Sequence, residues 1–137
     1  YGAWASEYRP VYDPYEAGLG PFVKLGKGDF IGKSAAAAVR EAGPARRLCA
    51  FAVDVPTGPE AADVIGDEPI WHQGEVVGWV TSGGYAHHTA TSVALGYVPA
   101  ASATETEGFE IEILGERRVA TRLAECLFDP TGERMRG

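Results

Sequence analysis

The feature that most constrains this chain is the change of period at Arg46. From there Cys49, Phe51, Val53 and Val55 alternate with smaller or more polar residues, a period of two that places every second side chain on one face of a strand. The run breaks at Pro56-Thr57-Gly58-Pro59. Ile70-Trp71-His72 and Val76-Val77-Gly78-Trp79-Val80 then flank Gln73-Gly74-Glu75, the pattern of a tight hairpin. Val93, Leu95 and Tyr97 alternate next, followed by Phe109, Ile111 and Ile113 against Glu110 and Glu112, whose acids mark a wet face. Val119, Thr121 and Leu123 follow the Gly115-Glu116 turn. Six short strands with no helix between them exclude a parallel α/β sheet. They predict a mostly β fold over residues 46–137, an antiparallel barrel or sandwich.

Residues 1–45 read differently. They predict a short α/β segment with one helix, Lys33–Ala42, with Ser34 as N-cap, four consecutive alanines and Gly43-Pro44 as the stop. Phe22-Val23-Lys24-Leu25 reads as a short strand or extended segment between glycine turns. Charge divides at the same place: residues 1–45 carry five acids and five bases, and the whole excess of negative charge falls in 46–137. The net charge of −7 argues against nucleic acid as a partner. No stretch reaches the ~20 apolar residues of a membrane helix, and no basic-then-apolar leader opens the chain. Only Cys49 and Cys126 are present, so neither a disulfide framework nor a thiolate zinc site is implied, and a reducing cytoplasm fits. The chain opens on an aromatic segment, not on Met, which predicts a piece of a longer protein.

The motifs with chemical promise mostly yield to structural readings. Gly26 to Ser34 ends in Gly-Lys-Ser before a helix, but a phosphate-binding loop needs four residues between its first glycine and the Gly-Lys pair. Gly26 leaves five and Gly28 three. His87 and His88 fall where a loop is expected after Thr81-Ser82-Gly83-Gly84-Tyr85, as solvated imidazoles rather than a metal pair. Ser82 lacks the strand-to-helix elbow of an activated serine, and turn chemistry explains its glycines. His72 is expected beside Trp71 at a strand edge, with no partner assignable. Glu110 and Glu112 share one strand face, whereas a glycosidase sets its carboxylates across a cleft. No complete catalytic set emerges. The rings of Tyr1, Trp4, Tyr8, Tyr12 and Tyr15 suit core packing, or stacking on a planar ligand.

Several segments, in order, resemble one family. Tyr12-Asp13-Pro14-Tyr15-Glu16-Ala17-Gly18-Leu19 through Val23-Lys24-Leu25, and Asp29-Phe30-Ile31-Gly32-Lys33-Ser34-Ala35, are similar to a stretch of the glycine-cleavage T-protein (aminomethyltransferase) family. Glu68-Pro69-Ile70-Trp71, Gly78-Trp79-Val80-Thr81-Ser82-Gly83-Gly84-Tyr85 and Val93-Ala94-Leu95-Gly96-Tyr97-Val98-Pro99 resemble its carboxy-terminal barrel. Thr81 to His87 and Leu127 to Gly137 resemble the folate-dependent portion of dimethylglycine and sarcosine dehydrogenases, in which a flavin domain comes first.

The resemblance implies that tetrahydrofolate accepts a one-carbon unit from an oxidised N-methyl amine, giving 5,10-methylene-tetrahydrofolate. It implies a remnant of the folate-binding domain at 1–45 and, at 46–137, a six-stranded antiparallel barrel of Greek-key or jelly-roll type. FAD would belong to an N-terminal domain outside this chain, and the flavin and folate-binding domains of the parent would be its partners. The family's essential aspartate and pteridine-gripping glutamate are expected upstream of Tyr1, so no catalytic residue carries over and the piece alone is expected to be inactive. Tyr1 and Trp4 are expected to line the pteridine side. Lys27 and Arg136, with Arg134 as alternate, are expected near the benzoyl-glutamate tail. The rival readings are a noncatalytic module closing the folate site, and an aminomethyltransferase of glycine cleavage itself.

Overall fold

A computed structural model describes residues 2–56 and 61–137; Tyr1 and the Thr57-Gly58-Pro59 part of the expected strand break lie outside the described residues. Six strands form a closed antiparallel barrel: β1 (Arg46–Val53), β2 (Pro69–His72), β3 (Glu75–Ala86), β4 (Thr91–Pro99), β5 (Phe109–Ile113) and β6 (Glu116–Leu123). Their order around the barrel is β1-β4-β3-β2-β5-β6, so β2, β3 and β4 form a meander and β1 lies beside β4, which is a Greek key. Helix α1 (Lys33–Ala42) precedes the barrel and a four-residue helix, α2 (Glu133–Arg136), follows it.

The hairpins arise where the sequence places them. Gln73 and Gly74 both take positive φ (52° and 87°), as do Leu114 and Gly115 (50° and 82°), the two-residue turn that matches strand twist. The second turn sits one residue earlier than Gly115-Glu116. Inside the barrel Phe51, Ile70, Val80, Val98, Phe109 and Ile111 are all but inaccessible, and Phe51 meets Phe109 edge-on with centroids 5.2 Å apart. Each such side chain contributes about 1.5–3 kcal/mol through burial. On β4 the inward positions are Ser92, Ala94, Gly96 and Val98, while Tyr97 is buried on the outer side.

Three expectations need correction. Thr81 to Tyr85 is not a loop: β3 runs on through Ala86, pairing Ser82 with Leu95, Gly83 with Ala94 and Gly84 with Val93. Gly83 and Gly78 serve close packing, whereas Gly84 has open space around it. A Cβ on Gly83 would lie 2.7 Å from Val64 Cγ1, and one on Gly78 only 1.9 Å from the Tyr97 carbonyl oxygen. Residues 22–25 form no strand; Gly20–Phe22 is a 3-10 turn and Phe22 is exposed. Ser34 is not the cap of α1, because Gly32 at φ 87° holds that position with no side-chain bond.

Helix α1 buries no residue, and Ile31 just before it is fully exposed. A ten-residue helix without tertiary packing is marginal in water. Hydrogen exchange should therefore show α1 amides exchanging far faster than those of β1 and β4, by roughly 10²-fold or more. Gly78→Ala should cost about 3 kcal/mol or more, because its methyl group meets backbone; urea denaturation measures it.

Candidate functional site

Residues 2–16 lie across the outer face of β1, β4 and β3. Asp13 Oδ1 accepts from the amides of Tyr15 (2.7 Å) and Glu16 (2.9 Å), folding the chain back on itself. That turn presents Glu16 to β1, where its carboxylate pairs with Arg46 (3.2 Å) and its carbonyl accepts from the Leu48 amide (2.9 Å). Tyr12 stacks on Tyr97 at 3.8 Å between centroids, with Trp79 6.5 Å from both. The Tyr97 hydroxyl donates to the Glu7 carbonyl at 2.7 Å. Burial pushes the Tyr97 phenol well above its ordinary value, so it stays a neutral donor.

Glu7 is the most heavily bonded group in the segment. Its side chain is buried, with Oε1 accepting from Ser82 Oγ (2.7 Å) and Oε2 from the Ala3 amide (2.6 Å) and Ser6 Oγ (3.0 Å). Burial alone would raise its pKa; the Ala3 amide and the surrounding hydroxyls outweigh that and lower it to about 2. Gly2 is needed beside it, since a Cβ there would come within 2.7 Å of Glu7 Cβ. The bulge between Val80 and Ser82 re-aims β3 so that Ser82 meets this segment.

Of the expected aromatic residues, Tyr8, Tyr12 and Tyr15 are at least half-buried, whereas Trp4 is 72% exposed. Lys27 lies over the Phe30 ring at 4.8 Å. Arg136 donates to the carbonyls of Gly132 and Thr131, and Arg134 lies over Phe128 at 5.2 Å. Trp4, Lys27 and Arg136 thus sit on three separate stretches of chain, and the two cations are held by their own neighbourhoods. A recess beside the Glu7 loop, lined by Ser6, Arg9, Tyr12, Asp67, Trp79 and Thr81, holds about 140 Å³. That is below the ~300 Å³ of a small-molecule site, so these residues make a rim rather than an enclosed pocket. A separate groove of about 620 Å³ carries Arg40 and Arg47, which the sequence reading did not single out.

The remaining candidates take structural roles. His72 is buried at the end of β2, stacked on Phe109 (4.4 Å), with Nε2 3.6 Å from the Glu105 carboxylate, a neighbour invisible in the sequence and too far for a hydrogen bond. His87 packs edge-on to Tyr85 and His88 to Phe128. Glu112 accepts from Trp71 Nε1 (2.9 Å), and Arg117 lies over the Trp71 ring at 3.5 Å, so the acids of β5 do mark the outer face. Burial raises the Cys49 thiol despite Arg122 and Arg47, which makes it a poor nucleophile.

Residues 46–129, all six strands of the barrel with the stretch after β6, match the model of the glycine cleavage T-protein C-terminal barrel domain. The chain belongs to that family. It is 40% identical over 128 residues to mitochondrial dimethylglycine dehydrogenase of Mus musculus, covering 93% of this chain and 14% of that protein. The Homo sapiens protein of the same name is 37% identical, with 98% and 16% covered. An aminomethyltransferase of Symbiobacterium thermophilum is 36% identical, with 91% and 32% covered. The solved glycine cleavage aminomethyltransferase T of Bartonella henselae superposes with a TM-score of 0.65 at 26% identity, covering 83% of this chain and 31% of its own. The chain therefore spans between a seventh and a third of the relatives it matches.

Glu7 titrates below its ordinary 4.5, so its contribution is complete above pH 4.5 and is lost as pH falls toward about 2. Glu7→Gln should cost roughly 2–3 kcal/mol at pH 7. The gap from wild type should narrow at pH 3; urea denaturation at both pH values checks it.

Proposed function

We propose that this chain is the carboxy-terminal part of a folate-dependent one-carbon transfer enzyme of the dimethylglycine or sarcosine dehydrogenase kind. The observation that carries the reading is the 40% identity to a dimethylglycine dehydrogenase running through both the N-terminal segment and the barrel. In this reading residues 1–45 complete the folate-binding domain of a longer chain and 46–137 form the barrel that closes it. Tetrahydrofolate, when bound, accepts the one-carbon unit as a methylene group. The contribution of these residues is to cover one side of the ligand and keep water from it. Trp4 fits that role because its ring is exposed, with no aromatic partner among the described residues. Tyr1 would extend the same aromatic surface, and Lys27 or Arg136 would have to leave their present contacts to meet a carboxylate tail. The flavin that oxidises the amine belongs to a preceding domain. The free thiols of Cys49 and Cys126 suit a reducing compartment such as the cytoplasm, and among the described residues no helix is long and apolar enough to cross a membrane.

A second reading, a module that only covers its neighbours, is favoured by one observation. Trp4, Val11, Phe22 and Ile31 are all exposed along the segment that leads into the unpacked α1. This surface suits the body of a longer chain.

Isothermal titration with folinic acid separates the two. Measurable heat, weakened about tenfold in Trp4→Ala, supports folate contact, and a flat titration supports the covering module. Turnover of dimethylglycine or sarcosine by the 137-residue chain alone would overturn the view that its reaction centre lies elsewhere.

A further inference from the structure

The loop 2–8 is tied down through Gly2, Ala3, Ser6, Glu7 and Tyr8. The Ser6 and Tyr8 amides return to the Ala3 carbonyl (3.3 and 3.0 Å), and the Gly2 amide donates to the Tyr8 hydroxyl (3.3 Å). Glu7 closes the loop from inside through the Ala3 amide and Ser6, and anchors it outside through Ser82 on β3 and Tyr97 on β4. The large side chain left over is Trp4, turned out to solvent at the apex. A single loop therefore has a buried carboxylate at its root and a free indole at its tip.

We propose that Glu7 is a positioning residue: bonded to Ser82, it fixes loop 2–8 on the barrel so that Trp4 stands as a preorganised stacking face for the planar part of the ligand. The inference rests on the folate reading above and deepens it, because it assigns the barrel a part in binding. A mobile indole must be ordered when ligand arrives, and that ordering subtracts from affinity. An indole held in advance avoids the loss. The carboxylate suits the task because it accepts from three donors at once, and two of them lie in the loop that it holds. Ser82 supplies the side-chain link from Glu7 to the strand.

The test uses Ser82→Ala, which removes that link and leaves the bonds to Ala3 and Ser6 in place. Folinic acid should bind it about fivefold more weakly than wild type, and Glu7→Gln about tenfold more weakly. Ser82→Thr, which keeps a hydroxyl, should restore affinity. In chain labelled with 5-fluorotryptophan, the Trp4 fluorine resonance, assigned with Trp4→Phe, should shift in Ser82→Ala while that of Trp71 on β2 stays in place. That pattern separates a local loss of order from a general loss of fold, which would move both. No heat from wild type overturns the folate reading and this inference with it. Heat from wild type that Ser82→Ala leaves unchanged, or a Trp4 resonance that does not move, overturns this inference alone.

Discussion

The structure depends on covering the outside of β4. A barrel strand usually turns one face to the core and the other to water, yet Gly96, Tyr97 and Val98 are consecutively buried. Tyr97 points away from the core, and an inaccessible phenol needs both an apolar neighbour and an acceptor. Tyr12 supplies the first by stacking, and the Glu7 carbonyl supplies the second. Once those two contacts are made, the N-terminal segment is committed to its course. Glu16 meets Arg46 at one end of that course and Glu7 meets Ser82 at the other. Barrel and segment are thus one packed body at this face, although their sequence patterns look unrelated.

What was legible in the sequence follows from this division. The strands could be read because the glycines of the Gln73-Gly74 and Leu114-Gly115 turns and a period of two along the strands are local signals. The outer covering could not be read this way. Val93, Leu95 and Tyr97 gave the right strand by their alternation, but they are its outer row, and the inner row is the small residues Ala94 and Gly96. Gly83 and Gly84 looked like a turn because glycine serves two purposes, positive φ and close approach, and only three dimensions show that Gly83 makes room for Val64.

The site was less legible than the fold for the same reason. Glu7 carries no sequence mark that distinguishes it from a solvated surface acid, since the serine that explains its burial lies 75 positions away. His72 and Glu105 are likewise neighbours only in space. Trp4 was singled out by composition and by the family resemblance, and the structure adds that it differs from Tyr8, Tyr12 and Tyr15 in standing free. Lys27 and Arg136 had only approximate position in their favour, and each finds a partner within a few residues of itself.

Closure of the barrel has a consequence for how such a domain travels. β1 bonds to β4 on one side and β6 on the other, so the ring of strands offers no vacant seam to a stray peptide. Joining it to unlike neighbours adds no risk of strand exchange between them. A self-sealed unit of this kind can be appended to a short body or to a much larger one without any of its strands changing partners.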